Sequence, residues 1–143
     1  MPGIDILKEI VFKKEEKILL AKAELPLDVL KEKVNNLPLA TRPFLKSINK
    51  HSEISLIAEI KKASPSRGII RQDFNTLEIA RIYKESGAAA ISILTEEDYF
   101  QGNISYLQQV KDVVDLPILR KDFILDDYQV YESRVFGADA ILL

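Results

Sequence analysis

Gly87-Ala-Ala-Ala-Ile91 returns further along the chain as Gly137-Ala-Asp-Ala-Ile141, each time where a helix-like stretch gives way to a strand-like one. At such a junction the glycine supplies a left-handed helix cap, and the small residues let helix and sheet pack closely. Before the first copy, Asn75-Thr-Leu-Glu78 is a capping-box pattern: the Asn side chain accepts from a free backbone N–H and the Glu reaches back. It predicts a helix ending at Gly87, with Ile79, Ile82 and Tyr83 on one face. Ahead of that helix, Ser55–Lys61 (SLIAEIK) is a short apolar run rich in β-formers. After it, Ala88–Thr95 (AAAISILT) reads as a second strand, and Ser105–Val114 as a helix with Leu107, Val110 and Val114 on one stripe. Leu116–Phe123 (LPILRKDF) is a third strand. Asp126-Asp-Tyr-Gln129 opens a third helix that stops at Gly137, and Ala138–Leu143 begins a fourth strand.

Strands separated by single helices run parallel, because a helical crossover returns the chain to the same end of the sheet. The expected fold class is α/β, of the (β/α)8 barrel type. A closed barrel takes about 250 residues, so 143 residues hold the first half of one plus an extension. A flavodoxin-like sheet competes, but it calls for a fifth strand and a final helix. The end on Ile141-Leu-Leu143 reads as truncation within the fourth strand. Residues 1–50 form the helical extension and 51–143 the half-barrel. Within the extension, Ile4–Ala23 mixes Leu and Ile with Lys and Glu at helical spacing, Pro26 stops it, Leu27–Asn36 offers a second helix, and Phe44–Ile48 one more helical turn. The lysines of the first helix are expected on a solvated face, opposite one packed stripe.

Composition narrows the functional classes. Twenty basic against twenty-two acidic residues give a formal charge of -2, which offers no electrostatic footing for a nucleic-acid or membrane-surface partner. The absence of Cys excludes disulfides, a thiolate zinc site and a cysteine nucleophile. No apolar run reaches the roughly 18 residues of a spanning helix, and Met1-Pro-Gly-Ile-Asp5 lacks a signal-peptide layout; a soluble, cytoplasmic chain is expected. The phosphate-loop, dinucleotide-binding and zincin motifs are missing. His51, the only histidine, is expected at the surface. Asn103-Ile-Ser105 is read as a helix cap, and the carboxylates of Thr95–Phe100 lack spacing for metal ligation, so no metal is assigned.

Parity selects the residues that could carry chemistry. Glu59 and Lys61 share a face at the C-terminal end of the first strand, and Leu119, Lys121 and Phe123 share one on the third. Ligands bind at that end of a parallel sheet, and inward charges are costly unless paired or functional. Two readings stand: a structural Glu59–Lys61 pair with Lys121 at a frayed strand end, or a functional cluster. The loop Lys61-Lys-Ala-Ser-Pro-Ser-Arg-Gly68 suits an anion in composition, as many solvated loops do.

Four ordered segments carry a resemblance: Ala58-Glu-Ile-Lys-Lys-Ala-Ser-Pro-Ser66, Ser92–Phe100 with Gly102, Pro117-Ile-Leu-Arg-Lys-Asp-Phe123 and Gly137–Leu142, together with Arg42-Pro-Phe44 in the extension. The chain resembles the indole-3-glycerol phosphate synthase family over essentially its whole length. The resemblance implies closure of the indole ring of 1-(2-carboxyphenylamino)-1-deoxyribulose 5-phosphate, with loss of carbon dioxide and water and no cofactor or metal. It implies that Lys121 is the general acid, Lys61 a contact to substrate anions and Glu59 a member of the catalytic cluster. Ser64 would lie near the substrate carboxylate, Phe100, Phe123 and Leu142 around the aromatic ring, and Ser92 and Leu94 on the inner face. The family's second catalytic glutamate and its phosphate-binding loops belong to later strands, outside this sequence. The half-barrel alone is therefore expected to be inactive and to self-associate or pair with a C-terminal half, since the inward residues Ile57, Ser92, Leu94, Leu119 and Leu142 would meet water. Other readings are a non-catalytic half-barrel and another phosphosugar-binding barrel enzyme.

Overall fold

A computed structural model describes residues 5–49 and 54–143; His51 lies outside them. The extension supplies α1 (Ile6–Glu24), α2 (Leu27–Asn35) and α3 (Phe44–Ile48). Asp5 caps α1 by accepting from the Leu7 N–H at 3.2 Å. Then follow β1 (Ile57–Ile60), a small hairpin of β2 (Ala63–Ser64) and β3 (Gly68–Ile69), α4 (Thr76–Glu85), β4 (Ala90–Leu94), α5 (Ser105–Val113), β5 (Ile118–Lys121), α6 (Asp127–Val135) and β6 (Ala140–Ile141).

The caps explain where the helices begin. Asn75 Oδ1 accepts from the N–H groups of Leu77 and Glu78, and Asp126 forms a reciprocal capping box with Gln129. At α5 the N-cap is Ile104, without a side-chain cap, where Asn103 or Ser105 was expected; Asn103 stands one residue ahead and its Oδ1 accepts from Ser105 N–H at 2.9 Å. Gly87 and Gly137 stand at φ +84° and +92°, the left-handed conformation that turns each helix into its strand.

β1, β4, β5 and β6 form one parallel sheet in that order. The sheet-facing residues of α4 and α5 (Ile79, Ala80, Leu107 and Val110) join Ile60, Ile91, Ile93 and Ile118 in a single core. α6 meets the same face, where Ser133 Oγ accepts from Arg120. Neighbouring strands in sequence order with every crossover helix on one side make a singly wound sheet, the arrangement of a barrel wall; a flavodoxin-like sheet reverses its order and is covered on both faces. The described elements are four strands of such a wall.

Four expectations are corrected. Lys61–Gly68 is a hairpin rather than an open loop: Ser64 pairs with Gly68 and Ala63 with Ile69. Ile82 is exposed, because its side of α4 lines an open cleft at the β1 edge with Ile70, which is exposed too. Ser92 and Leu94 are buried, and β4 is buried over all five residues. β4 is an inner strand, so Glu59 and Leu119 flank Ser92 in register, and Lys121 stands beside Leu94. Finally, the packed stripe of α1 is Ile10, Lys14 and Ile18, so one lysine of that helix faces inward instead of water.

Candidate active site

The inner face of the sheet collects the residues singled out by parity. Glu59, Ser92 and Leu119 form one register row, and Leu94 and Lys121 the next. Lys61 Nζ lies 3.0 Å from Glu59 Oε1, each side chain 35% exposed; the pair is formed and still open to a ligand. Lys121 ends β5 and has no ion-pair partner among the described residues. Phe100 and Phe123, from the loops after β4 and β5, place their rings 6.4 Å apart at 44°, a tilted aromatic contact. Ser64 sits in the hairpin. Leu142, just past β6, is exposed, at the end of the strand that pairs with β5, which leads to Phe123.

Glu96, which sequence reasoning left unassigned, organises the loop that carries Phe100. Its carboxylate is buried and accepts the backbone N–H groups of Asp98, Tyr99 and Phe100 at 3.1, 2.7 and 3.1 Å. Three such donors hold a carboxylate in place of water. Phe100 in turn accepts from Ala63 N–H, tying this loop to the hairpin. Gly102 closes the loop where only glycine fits: a Cβ there would meet Leu94 O at 2.4 Å and Glu96 O at 2.8 Å.

On the opposite face lies a second constellation that sequence reasoning also missed. Arg120 donates to Thr95 Oγ1 at 3.1 Å, Glu132 at 2.8 Å, Ser133 Oγ at 3.1 Å and Asp122 Oδ2 at 3.0 Å. Asp122 Oδ1 takes Lys14 Nζ at 2.7 Å, and Thr95 Oγ1 donates to Asp122 Oδ2 at 2.6 Å. Burial pushes the Asp122 carboxyl up, but Arg120 and Lys14 outweigh it and hold the group below the ordinary carboxylate range. A cleft of about 380 Å³ runs between α1 and this network; the cations and carboxylates deepest in it are bonded to one another.

At the other end of the sheet, Arg42 donates to the carbonyls of Lys111, Val114 and Leu116, and Asp139 accepts from Arg42 N–H, Ile118 N–H and Lys111 Nζ. Among the described residues no group of three or more His, Asp or Glu side chains is placed to hold a metal ion, and no helix is long and apolar enough to cross a membrane.

A half-wall of parallel strands with lysine and glutamate at its C-terminal end leaves several barrel families open, and comparison with known proteins decides between them. The sequence model of indole-3-glycerol phosphate synthase matches residues 7–143. The chain belongs to the indole-3-glycerol phosphate synthase family. The synthase of Carboxydothermus hydrogenoformans is 51% identical over 142 residues, which cover 96% of this chain and 54% of that protein. The synthase of Aliarcobacter butzleri is 51% identical over 96% of this chain and 53% of its own length, and that of Neisseria meningitidis serogroup B 48% identical over 97% and 54%. The chain thus spans about half the length of the synthases it matches. As a member of that synthase family it has the (β/α)8 barrel as its fold, of which the four-stranded sheet is a part.

Proposed function

We propose that this chain contributes the first half of an indole-3-glycerol phosphate synthase site, with residues 1–50 as an extension and 51–143 as barrel. The observation that carries the reading is the inner face: Lys121 without an ion-pair partner among the described residues, beside Leu94, with the Glu59–Lys61 pair and the Phe100–Phe123 contact at the same end of the sheet.

In this reading Phe100, Phe123 and Leu142 receive the aromatic ring, and Ser92 and Leu94 form the floor. Lys121 donates a proton to the substrate carbonyl oxygen as the aryl carbon attacks the carbonyl carbon, turning the developing alkoxide into a hydroxyl. An ammonium group also stabilises that charge before the proton moves. The bond between the ring and its carboxylate then breaks, carbon dioxide leaves and the electron pair of that bond returns to the ring; the new hydroxyl takes up a proton and departs as water while the neighbouring carbon gives up a proton, which completes the indole. Lys61 holds substrate anions with Glu59 setting its position, and Ser64 lies by the carboxylate. The reading needs no cofactor or metal and places the protein in the cytoplasm.

The open edges support a partner for the half-wall. Leu56, Ile57, Ile70 and Ile82 are exposed along β1 and α4, and Leu142 and Leu143 beyond β6, an unfavourable exposure of about 25 cal/mol per Å². The remaining βα units cover these edges in a closed barrel; residues 1–143 alone self-associate and make no product. Two measurements test the proposal. Light scattering and a product-fluorescence assay on residues 1–143 should report association without activity, and an active monomer would refute that part. In a barrel completed with the second half of the Carboxydothermus synthase, Lys121→Met should abolish turnover and leave substrate binding within about tenfold; near-normal turnover would remove Lys121 from its role.

A further inference from the structure

Asp122 stands between Lys121 and Phe123, and its side chain turns away from them into the helix layer. Its two oxygens receive four hydrogen bonds: Lys14 Nζ and Phe123 N–H on Oδ1, Thr95 Oγ1 and Arg120 Nη2 on Oδ2. Thr95 grips the same segment a second time, its N–H donating to the Lys121 carbonyl at 3.0 Å. The backbone from 121 to 123 is therefore held at the carbonyl before Asp122 and at the amide after it. Among the described residues, only Lys14 joins this network from the extension. Arg120 already divides its donors among Thr95, Gln129, Glu132, Ser133 and Asp122, so it is poorly placed to take over Oδ1 if Lys14 is lost.

We propose that Lys14 is a positioning residue of the inner-face site: by clamping Asp122 from behind the sheet, it fixes the backbone on which Lys121 and Phe123 stand. The inference rests on the assignment of Lys121 as general acid. A displacement of about 1 Å at a reacting group can cost on the order of a hundredfold in rate, so a helix that never meets substrate can still govern turnover.

The test compares Lys14→Met, Lys14→Arg and Ile18→Ala in the completed barrel. Ile18 is buried one turn further along α1 and reports what helix docking alone contributes. Lys14→Met should lower kcat about tenfold with KM within about twofold, and Lys14→Arg should restore most of it. Ile18→Ala, though destabilising, should leave kcat within about twofold. Equal losses in Lys14→Met and Ile18→Ala, or none in either, would overturn the inference. Amide hydrogen exchange reads the same point without activity: Lys14→Met should speed exchange at Phe123 and spare Val110, and unchanged Phe123 exchange would also overturn it. If the parent barrel makes no product, the ring-closure reading falls and exchange alone decides the inference. Should Lys14→Met fail to fold, Lys14→Gln, which keeps a donor without the charge, takes its place.

Discussion

Arg120 and Lys121 are neighbours on one strand and live in opposite chemical worlds. Arg120, on the helix side, is buried and spreads its guanidinium over two carboxylates, two hydroxyls and a carbonyl. Lys121, on the inner side, has no ion pair among the described residues. A saturated buried cation has all its bonding committed to the fold, whereas an accessible and unsaturated one has donors left for a ligand. Strand parity alone separates the two roles by a single residue.

The comparison breaks if the two faces respond alike to mutation. In the completed barrel, Asp122→Ala strands Lys14 and Arg120 without their shared carboxylate and should cost about 3–5 kcal/mol in urea unfolding. Lys121→Met on the inner face should cost no more than about 0.5 kcal/mol; equal costs would dissolve the distinction. Gly102→Ala forces a methyl against the Leu94 and Glu96 carbonyls and should destabilise by about 1–3 kcal/mol, visible as a lowered urea midpoint.

A pH series sharpens the contrast. Because the folded Asp122 carboxyl lies below its ordinary value, its stabilisation is present above the usual carboxylate range and is lost as pH falls through the folded value. The urea midpoint of the parent should drop more steeply than that of Asp122→Asn as pH is lowered below about 4; parallel curves would deny the Lys14–Asp122–Arg120 set its electrostatic weight. A small effect also belongs to Lys17, whose ammonium pairs with Glu97 and Asp98 in water. Lys17→Met should change stability by less than about 1 kcal/mol, by the same measurement, although it sits on the same helix as Lys14.

Local chemistry made the barrel wall readable. Asn75 and Asp126 announce their helices through side-chain acceptors only residues away, and Gly87 and Gly137 mark the strand entries. Alternation along β1 and β5 put Glu59, Lys61 and Lys121 on one face. What stayed hidden depends on distant partners. Lys14 reads as a solvated lysine until Asp122, far along the chain, arrives to meet it. Glu96 looks like one of three surface acids until its loop folds back over it. The Lys61–Gly68 segment has loop composition because its hairpin is too short to show alternation. Ser92 and Leu94 were expected to meet water with half the barrel missing; parity gives a face, not the cover that the strands on either side provide.

The same long reach decides when the extension can settle during synthesis. Arg42 N–H waits for Asp139, 97 residues later, and the Ala21 carbonyl for the Tyr128 hydroxyl, 107 residues later. At about 5–20 residues per second, that is a delay on the order of 5–20 s in which Ile10 and Ile18 have left the ribosome with nothing to pack against. An early-made stretch of these residues is thus housed late, with two isoleucines uncovered in that interval.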